Sequence, residues 1–142
     1  MKTILIVLVI SSTSFSLKAA EHIKIIVNAN NSIQTITTSQ IQDFFLKRAR
    51  TWPDGTPVRF FDRSDDSPER KIFLQNYLKR TARQVEQHWI GQKLYSGDSS
   101  PSQVTSDSLM VSLVSRFPGG IGYVSAYFSG GKGVKIIEVN KE

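Results

Sequence analysis

The stretch that most constrains the fold of this chain is VRFFDRSDDSPERKIFLQNYL, residues 58–78. A short apolar run, Val58 to Phe61, enters a polar turn that leads into a segment with apolar residues at helical spacing. Pro68 suits the first helical position, because the amide that proline lacks would have no partner there. The stretch therefore predicts a strand, a tight turn and a helix in succession, which is the repeating unit of an α/β protein.

The rest of the chain repeats this alternation. Strands are predicted at residues 22–28, 58–62, 121–125 and 134–139 from their β-branched and apolar residues. Helices are predicted to begin near residues 37, 67, 81 and 105, each behind a serine or threonine that can cap it, with polar connections at 29–37 and 96–105. The expected fold is an α/β sandwich with about four strands, four helices and a mixed sheet.

Residues 1–20 have the pattern of a secretory signal peptide. Lys2 precedes an apolar stretch that reaches about Leu17, and Ala19 and Ala20 are small residues suited to cleavage. The hydroxyl residues at 11–14 interrupt the run, which is shorter than the roughly 20 apolar residues that a membrane span needs. We predict cleavage near Ala19 or Ala20, one domain at residues 21–142 and no membrane span after cleavage.

The absence of cysteine limits both the location and the chemistry. An exported domain without disulfides must be held together by its core, which favours a bacterial periplasm or secretion. Thiol catalysis and cysteine metal sites are excluded. With two histidines and no Gly-x-Ser-x-Gly motif, we expect no enzyme, no metal site and no cofactor.

The net charge of +6 is unevenly spread. Ten of the 18 lysines and arginines lie between Lys47 and Arg83. Such clustering favours anionic partners, either small oxyanions or an acidic surface, although a solvated basic face is the simpler explanation for each residue alone. Exposed aromatic residues do not alternate with these cations, so the sequence does not favour nucleic acid as a partner.

The turn at residues 63–67, RSDDS, is the candidate binding site, and Arg63, Ser64, Asp65 and Ser67 are its candidate ligand residues. Amides at a helix start lack partners within the helix and carry partial positive charge, so an arginine beside them favours an oxyanion. The alternative is that Arg63 pairs with Asp62 or Asp65 and only holds the turn. Arg70 is expected at the surface or paired with an acidic neighbour, Asp66 or Glu69.

The order of these motifs resembles the second lobe of the periplasmic phosphate-binding proteins of ABC transporters. The matching features are the helix SQIQDFFLKR, then Trp52, then a strand entering RSDDS, then a Phe–Tyr–Leu helix and finally PGGIGYVS at residues 118–125. The family pattern is Arg-x-Asp-Gly-Ser-Gly-Thr at the turn and Pro-Gly-x-Ile-Gly-Tyr later. The similarity covers about residues 23–128, and it implies a single-lobe form, since 142 residues leave no room for the family's first lobe.

The resemblance implies a role for three residues of the turn. Arg63 would offer its guanidinium to two phosphate oxygens, Asp65 would accept the proton of a protonated phosphate, and Ser67 would donate its hydroxyl. The sequence departs from the family where Gly-Thr is replaced by Pro68-Glu69, which removes an amide and adds a negative charge.

Two functions follow from this pattern. The first is an exported domain that binds phosphate or a related oxyanion at the turn around Arg63, either alone or with a second protein that closes the site. The second is a protein-interaction module of an envelope, sensor or adhesion complex that has kept the fold and lost the ligand.

Overall fold

The computed structural model describes residues 22–141, so the predicted signal peptide at residues 1–20 lies outside the described part. The strands are β1 (Ile23–Asn28), β2 (Thr35–Thr37), β3 (Arg59–Arg63), β4 (Ser102–Val104), β5 (Gly120–Ser125) and β6 (Val134–Asn140). The helices are α1 (Thr38–Phe45), α2 (Pro68–Phe73), α3 (Ala82–Tyr95) and α4 (Asp107–Arg116). A π-helical turn, Leu74–Leu78, continues α2.

The strands form one mixed sheet in the order β2-β6-β1-β5-β3-β4. Strand β1 is antiparallel to both of its neighbours, β5 and β6, whereas the remaining pairings, β2 with β6, β5 with β3 and β3 with β4, are parallel. The α/β fold with a mixed sheet that the sequence predicts is therefore confirmed.

Helices cover both faces of the sheet. On one face α1, α2 and α3 pack on β1, β3 and β5 through an aromatic-rich cluster that includes Phe45, Phe60 and Phe73. On the other face Phe61 packs in a smaller cluster with Met110 and Val114 of α4. Phe60 and Phe61 thus lie in different clusters, because successive side chains of a strand point to opposite faces. Strand β3 therefore contributes to both halves of the core.

Two short edge strands distinguish the structure from the prediction. Strands β2 and β4 lie in segments that the sequence predicts as polar connections, so the prediction of about four strands is too low by two. Each has three residues, too few to show the alternation of apolar and polar side chains on which strand prediction rests.

The predicted helix starts are confirmed by their capping bonds. Thr37 and Thr81 each form a capping box, with Gln40 and Gln84 respectively, and the hydroxyl of Ser106 accepts from the amide of Leu109. In the described part of the chain, 22–141, no helix is both long and apolar enough to cross a membrane.

Gly119 allows two turns to lie in direct contact. A Cβ atom at this position would lie 1.7 Å from the carbonyl oxygen of Pro57. The same glycine accepts a hydrogen bond of 3.0 Å from the indole nitrogen of Trp52, which is buried. The amide of Gly120 donates to Phe117 and completes the turn. Gly119, directly before β5, therefore serves close packing.

We expect Gly119→Ala to lower the free energy of unfolding by about 2–3 kcal/mol. The added methyl group would overlap the backbone of Pro57, which would have to move to make room for it. The measurement is urea unfolding followed by circular dichroism. Gly91→Ala is the matched control, since a Cβ at this helical position meets no atom within 4 Å. That variant should gain about 0.5–1 kcal/mol from lower chain entropy in the unfolded state. Equal stability of the two variants would contradict the packing argument.

Candidate functional site

A buried carboxylate, that of Asp62, organises the end of β3. The phenol of Tyr123 on β5 and the Nε of Arg70 on α2 both donate to it, the latter at 3.1 Å, and the amide of Arg63 donates at 2.8 Å. Burial raises the pKa of this carboxyl, and the hydrogen bonds from Tyr123 and Arg70 counteract that rise. Burial next to the negative Asp62 likewise raises the pKa of the Tyr123 phenol.

Arg70 is a buried structural arginine. Its side chain is 9 % exposed, and its Nη1 lies 3.6 Å from Asp65 in addition to the bond with Asp62. The predictions that Arg70 lies at the surface or pairs with Glu69 or Asp66 are therefore wrong. The sequence could not show this, because Asp62 is eight residues away on a different element.

Arg63, the centre of the predicted site, is buried and already faces two carboxylates. Its side chain is 6 % exposed, its Nη1 donates to Asp107 at 2.5 Å, and its Nη2 lies 3.7 Å from Glu69. The alternative of pairing with Asp62 or Asp65 is wrong for the guanidinium, although the backbone amide does contact Asp62. Within residues 22–141 the Nε of Arg63 has no hydrogen-bond partner.

Asp107 is the residue of this cluster that the sequence did not reveal. It begins α4, and its carboxylate also accepts from the amide of Ser125 at 3.1 Å and from the hydroxyl of the same residue at 2.7 Å. Burial opposes ionisation, but the hydrogen bonds from Ser125 and Arg63 outweigh it and lower the pKa of Asp107. The stabilisation is present above the ordinary carboxyl pKa and is lost as the pH falls through the lowered value.

The donors around Asp107 form a set that suits a small oxyanion. A guanidinium, a backbone amide and a hydroxyl converge on two carboxylate oxygens. In this structure the anion that these donors bind is the side-chain carboxylate of Asp107. A weak sequence signal exists, since an acidic residue directly after the Ser106 cap is expected to begin a helix. Its pairing with Arg63, 44 positions earlier, could not be read from the sequence.

The other three predicted ligand residues have separate contacts. The amide of Ser64 donates to Val104 at 3.1 Å and links β3 to β4. Asp65 is exposed and accepts from Gln103 at 2.7 Å. The hydroxyl of Ser67 caps α2, as predicted, by accepting from the amide of Arg70 at 3.1 Å.

The structure therefore brings the turn together without joining its predicted ligand residues. None of the three is hydrogen-bonded or ion-paired to the guanidinium of Arg63 in the described part of the chain.

The basic residues that follow α1 are paired inside the domain. Arg50 forms a two-pronged contact with Asp98, at 3.2 and 2.6 Å. Hydrogen bonds from Arg50 and from Ser96 lower the pKa of Asp98 to about 2. Arg48 lies 2.9 Å from Asp43, and Lys47 donates to the carbonyl of Ser99 at 2.6 Å. These contacts reduce the positive field that the sequence suggests for this segment.

An open groove of about 1130 Å³ adjoins the turn. It runs between α3 and the segment at residues 98–103, and its lining includes Arg70, Trp89 and Gln103. No group of three or more histidine, aspartate or glutamate side chains within residues 22–141 is arranged to hold a metal ion.

We expect Arg70→Ala to lower the free energy of unfolding by about 3–5 kcal/mol at neutral pH, because it leaves Asp62 buried without its cation. The loss should shrink as the pH falls, since a protonated Asp62 needs no cation. Arg48→Ala removes an ion pair whose side chains are 50 % and 44 % exposed, and should cost below about 1 kcal/mol. Denaturant unfolding at several pH values measures both effects. A loss for Arg70→Ala that does not depend on pH would contradict this account.

Comparison with solved structures identifies the fold. An ABC-type phosphate transport receptor from Vibrio cholerae matches with a TM-score of 0.64 and 21% sequence identity, over 82% of this chain and 45% of that protein. A putative phosphate ABC transporter substrate-binding protein from Clostridium perfringens, with bound phosphate, matches at 0.62 and 21%, over 82% and 44%. PstS from Borrelia burgdorferi matches at 0.62 and 20%, over 83% and 47%.

The chain spans a little under half the length of these proteins. No family model matches its sequence, and no curated protein matches it. At these identities the likeness concerns the fold. The resemblance predicted from the sequence is confirmed at that level: residues 22–141 have the fold of part of a phosphate transporter's substrate-binding protein.

Proposed function

We propose that this chain is an exported, non-catalytic solute-binding domain that takes phosphate or a related oxyanion at the turn between β3 and α2. The ligand would contact Arg63, Ser64, Asp65 and Ser67. The predicted signal peptide supports location in the periplasm or outside the cell. Proteins named for phosphate transport share the fold, which supports phosphate as the first candidate among oxyanions.

The observation that carries the proposal is the state of the Arg63 guanidinium. Its side chain is 6 % exposed, at the end of β3, and its Nε has no partner among residues 22–141. A buried donor without a partner is costly, so an acceptor that reaches it gains more than it would at the surface. An oxyanion oxygen is such an acceptor. The hydroxyl of Ser67 accepts from Arg70, and its hydrogen is still available for donation.

The neighbouring carboxylates decide how tightly an anion binds. Asp107 and Glu69 already face Arg63, so phosphate has to share or displace them. Two like charges about 4 Å apart repel by about 4 kcal/mol at the effective dielectric constant of a protein surface. We therefore propose weak binding by the isolated domain. Asp65, as an acceptor, favours a protonated phosphate over sulfate.

We expect Asp107→Asn to bind phosphate at least tenfold more tightly than the natural protein, because asparagine keeps the hydrogen-bonding shape and removes the negative charge. Titration calorimetry with phosphate and with sulfate measures this, and sulfate should bind more weakly. Glu138→Gln is the control, since it removes a negative charge from an exposed position on β6. It should leave the affinity unchanged.

Arg63→Lys in the Asp107→Asn background tests whether the guanidinium is the contact. The double variant should lose the gain, because lysine cannot offer the planar fork. Thermal unfolding of each variant checks that it is folded. If the natural protein releases no heat at millimolar phosphate, the proposal is wrong.

A second function is favoured by one observation, the internal neutralisation of Arg63 by Asp107 and Glu69. A domain with this arrangement could keep the fold as a protein-interaction module of an envelope complex. The calorimetry separates the two functions. Phosphate binding that appears only in Asp107→Asn would favour the interaction module, whereas binding in the natural protein favours the solute-binding domain.

A further inference from the structure

Helix α3 is the element least covered by the rest of the domain. Of its 14 residues, Val85 and Trp89 are buried. The large apolar side chains of Ile90, Leu94 and Tyr95 are 56, 79 and 92 % exposed. Exposed apolar side chains that adjoin one another mark an interaction surface, whereas single scattered ones are ordinary.

One face of α3 combines these apolar residues with charges of both signs. We call it the α3 face; its residues, which all border the open groove, are Arg83, Glu86, Ile90, Lys93 and Leu94. Their spacing of three and four positions places them on one side of the helix. All five are exposed. The α3 face therefore has an apolar centre at Ile90, with Arg83 and Glu86 before it and Lys93 after it.

The charges of the α3 face lack strong partners within the domain. Residues 22–141 contain no ion pair that involves Glu86, and Lys93 has a single contact, 3.4 Å from the hydroxyl of Ser99. Both charges are free to meet an incoming partner. By contrast, the basic residues near the end of α1 are already paired with Asp43 and Asp98.

The arrangement is complementary to itself. When two copies of α3 lie antiparallel with Ile90 near the middle, Glu86 of each copy comes opposite Lys93 of the other. The two ends of the contact then carry one ion pair each, with Ile90 between them and Leu94 just beyond Lys93, while Arg83 comes opposite Ser96 of the other copy. A two-fold axis requires this kind of pattern, in which one patch matches a second copy of itself.

We propose that a second copy of this chain docks on the α3 face, with the two α3 helices antiparallel. The occupant is inferred from the charge pattern, because a partner with a single sign of charge would leave either Glu86 or Lys93 facing a like charge. The groove beside α3, about 1130 Å³, gives room for side chains of the second helix. This inference is independent of whether Arg63 binds an oxyanion.

Analytical ultracentrifugation of the full mature chain over a range of concentrations tests the proposal. We expect a monomer–dimer equilibrium in the natural protein. Glu86→Lys and Lys93→Glu should each weaken dimerisation at least tenfold, because each places like charges opposite one another. The double variant Glu86→Lys/Lys93→Glu restores the pattern with the signs exchanged and should return the dissociation constant to within about threefold of the natural one.

A matched pair of apolar variants tests whether dimerisation depends on the α3 face or on exposed apolar side chains in general. Leu94→Ala should weaken the dimer, whereas Leu109→Ala, which truncates another leucine that is 49 % exposed but lies on α4, should not. Thermal unfolding confirms that each variant is folded, which we expect because all the altered side chains are exposed. A protein that stays monomeric at the highest measurable concentration overturns the proposal, as does dimerisation that the double variant fails to restore. A monomer that instead binds an unrelated protein at this face also overturns it.

Discussion

The buried carboxylate of Asp62 is the contact on which the functional end of the sheet depends. It joins three elements, because Tyr123 reaches it from β5, Arg70 from α2 and the amide of Arg63 from the end of β3 itself. A carboxylate in the interior is tolerated only when donors surround it. Once these donors are fixed, the position of α2 relative to β3 is fixed as well, and so is the turn that connects them.

The same internal pairing weakens the inference from the positive net charge to anionic partners. The guanidinium groups of Arg63 and Arg70 lie inside the domain and are balanced by acidic side chains, and Arg50 is balanced by Asp98 at the surface. Buried ion pairs of this kind add little net stability over apolar packing, but they are costly to break. The cations near the turn therefore serve first to hold the protein together. Any ligand at the turn must compete with carboxylates that are part of the fold.

Local signals predicted most of the architecture, and contacts between distant residues account for what they missed. The capping box at Thr81 and the proline at position 68 could be read within a few residues, because the chemistry that starts a helix is local. Strand β4 has three residues and exists because β3 is beside it. Arg70 and Asp107 are defined by partners on other elements, so their burial and pairing depend on the completed fold.

The sheet ends in a three-residue strand on each side, β2 at one margin and β4 at the other. Unpaired backbone groups along the margin of a sheet are a template for aggregation, and natural proteins limit this hazard by keeping such strands very short. Longer strands, such as β1 and β5, lie in the interior of the sheet, where both sides are paired. A domain built this way is protected against edge-to-edge pairing with other copies, although it has no cysteine from which a disulfide could form.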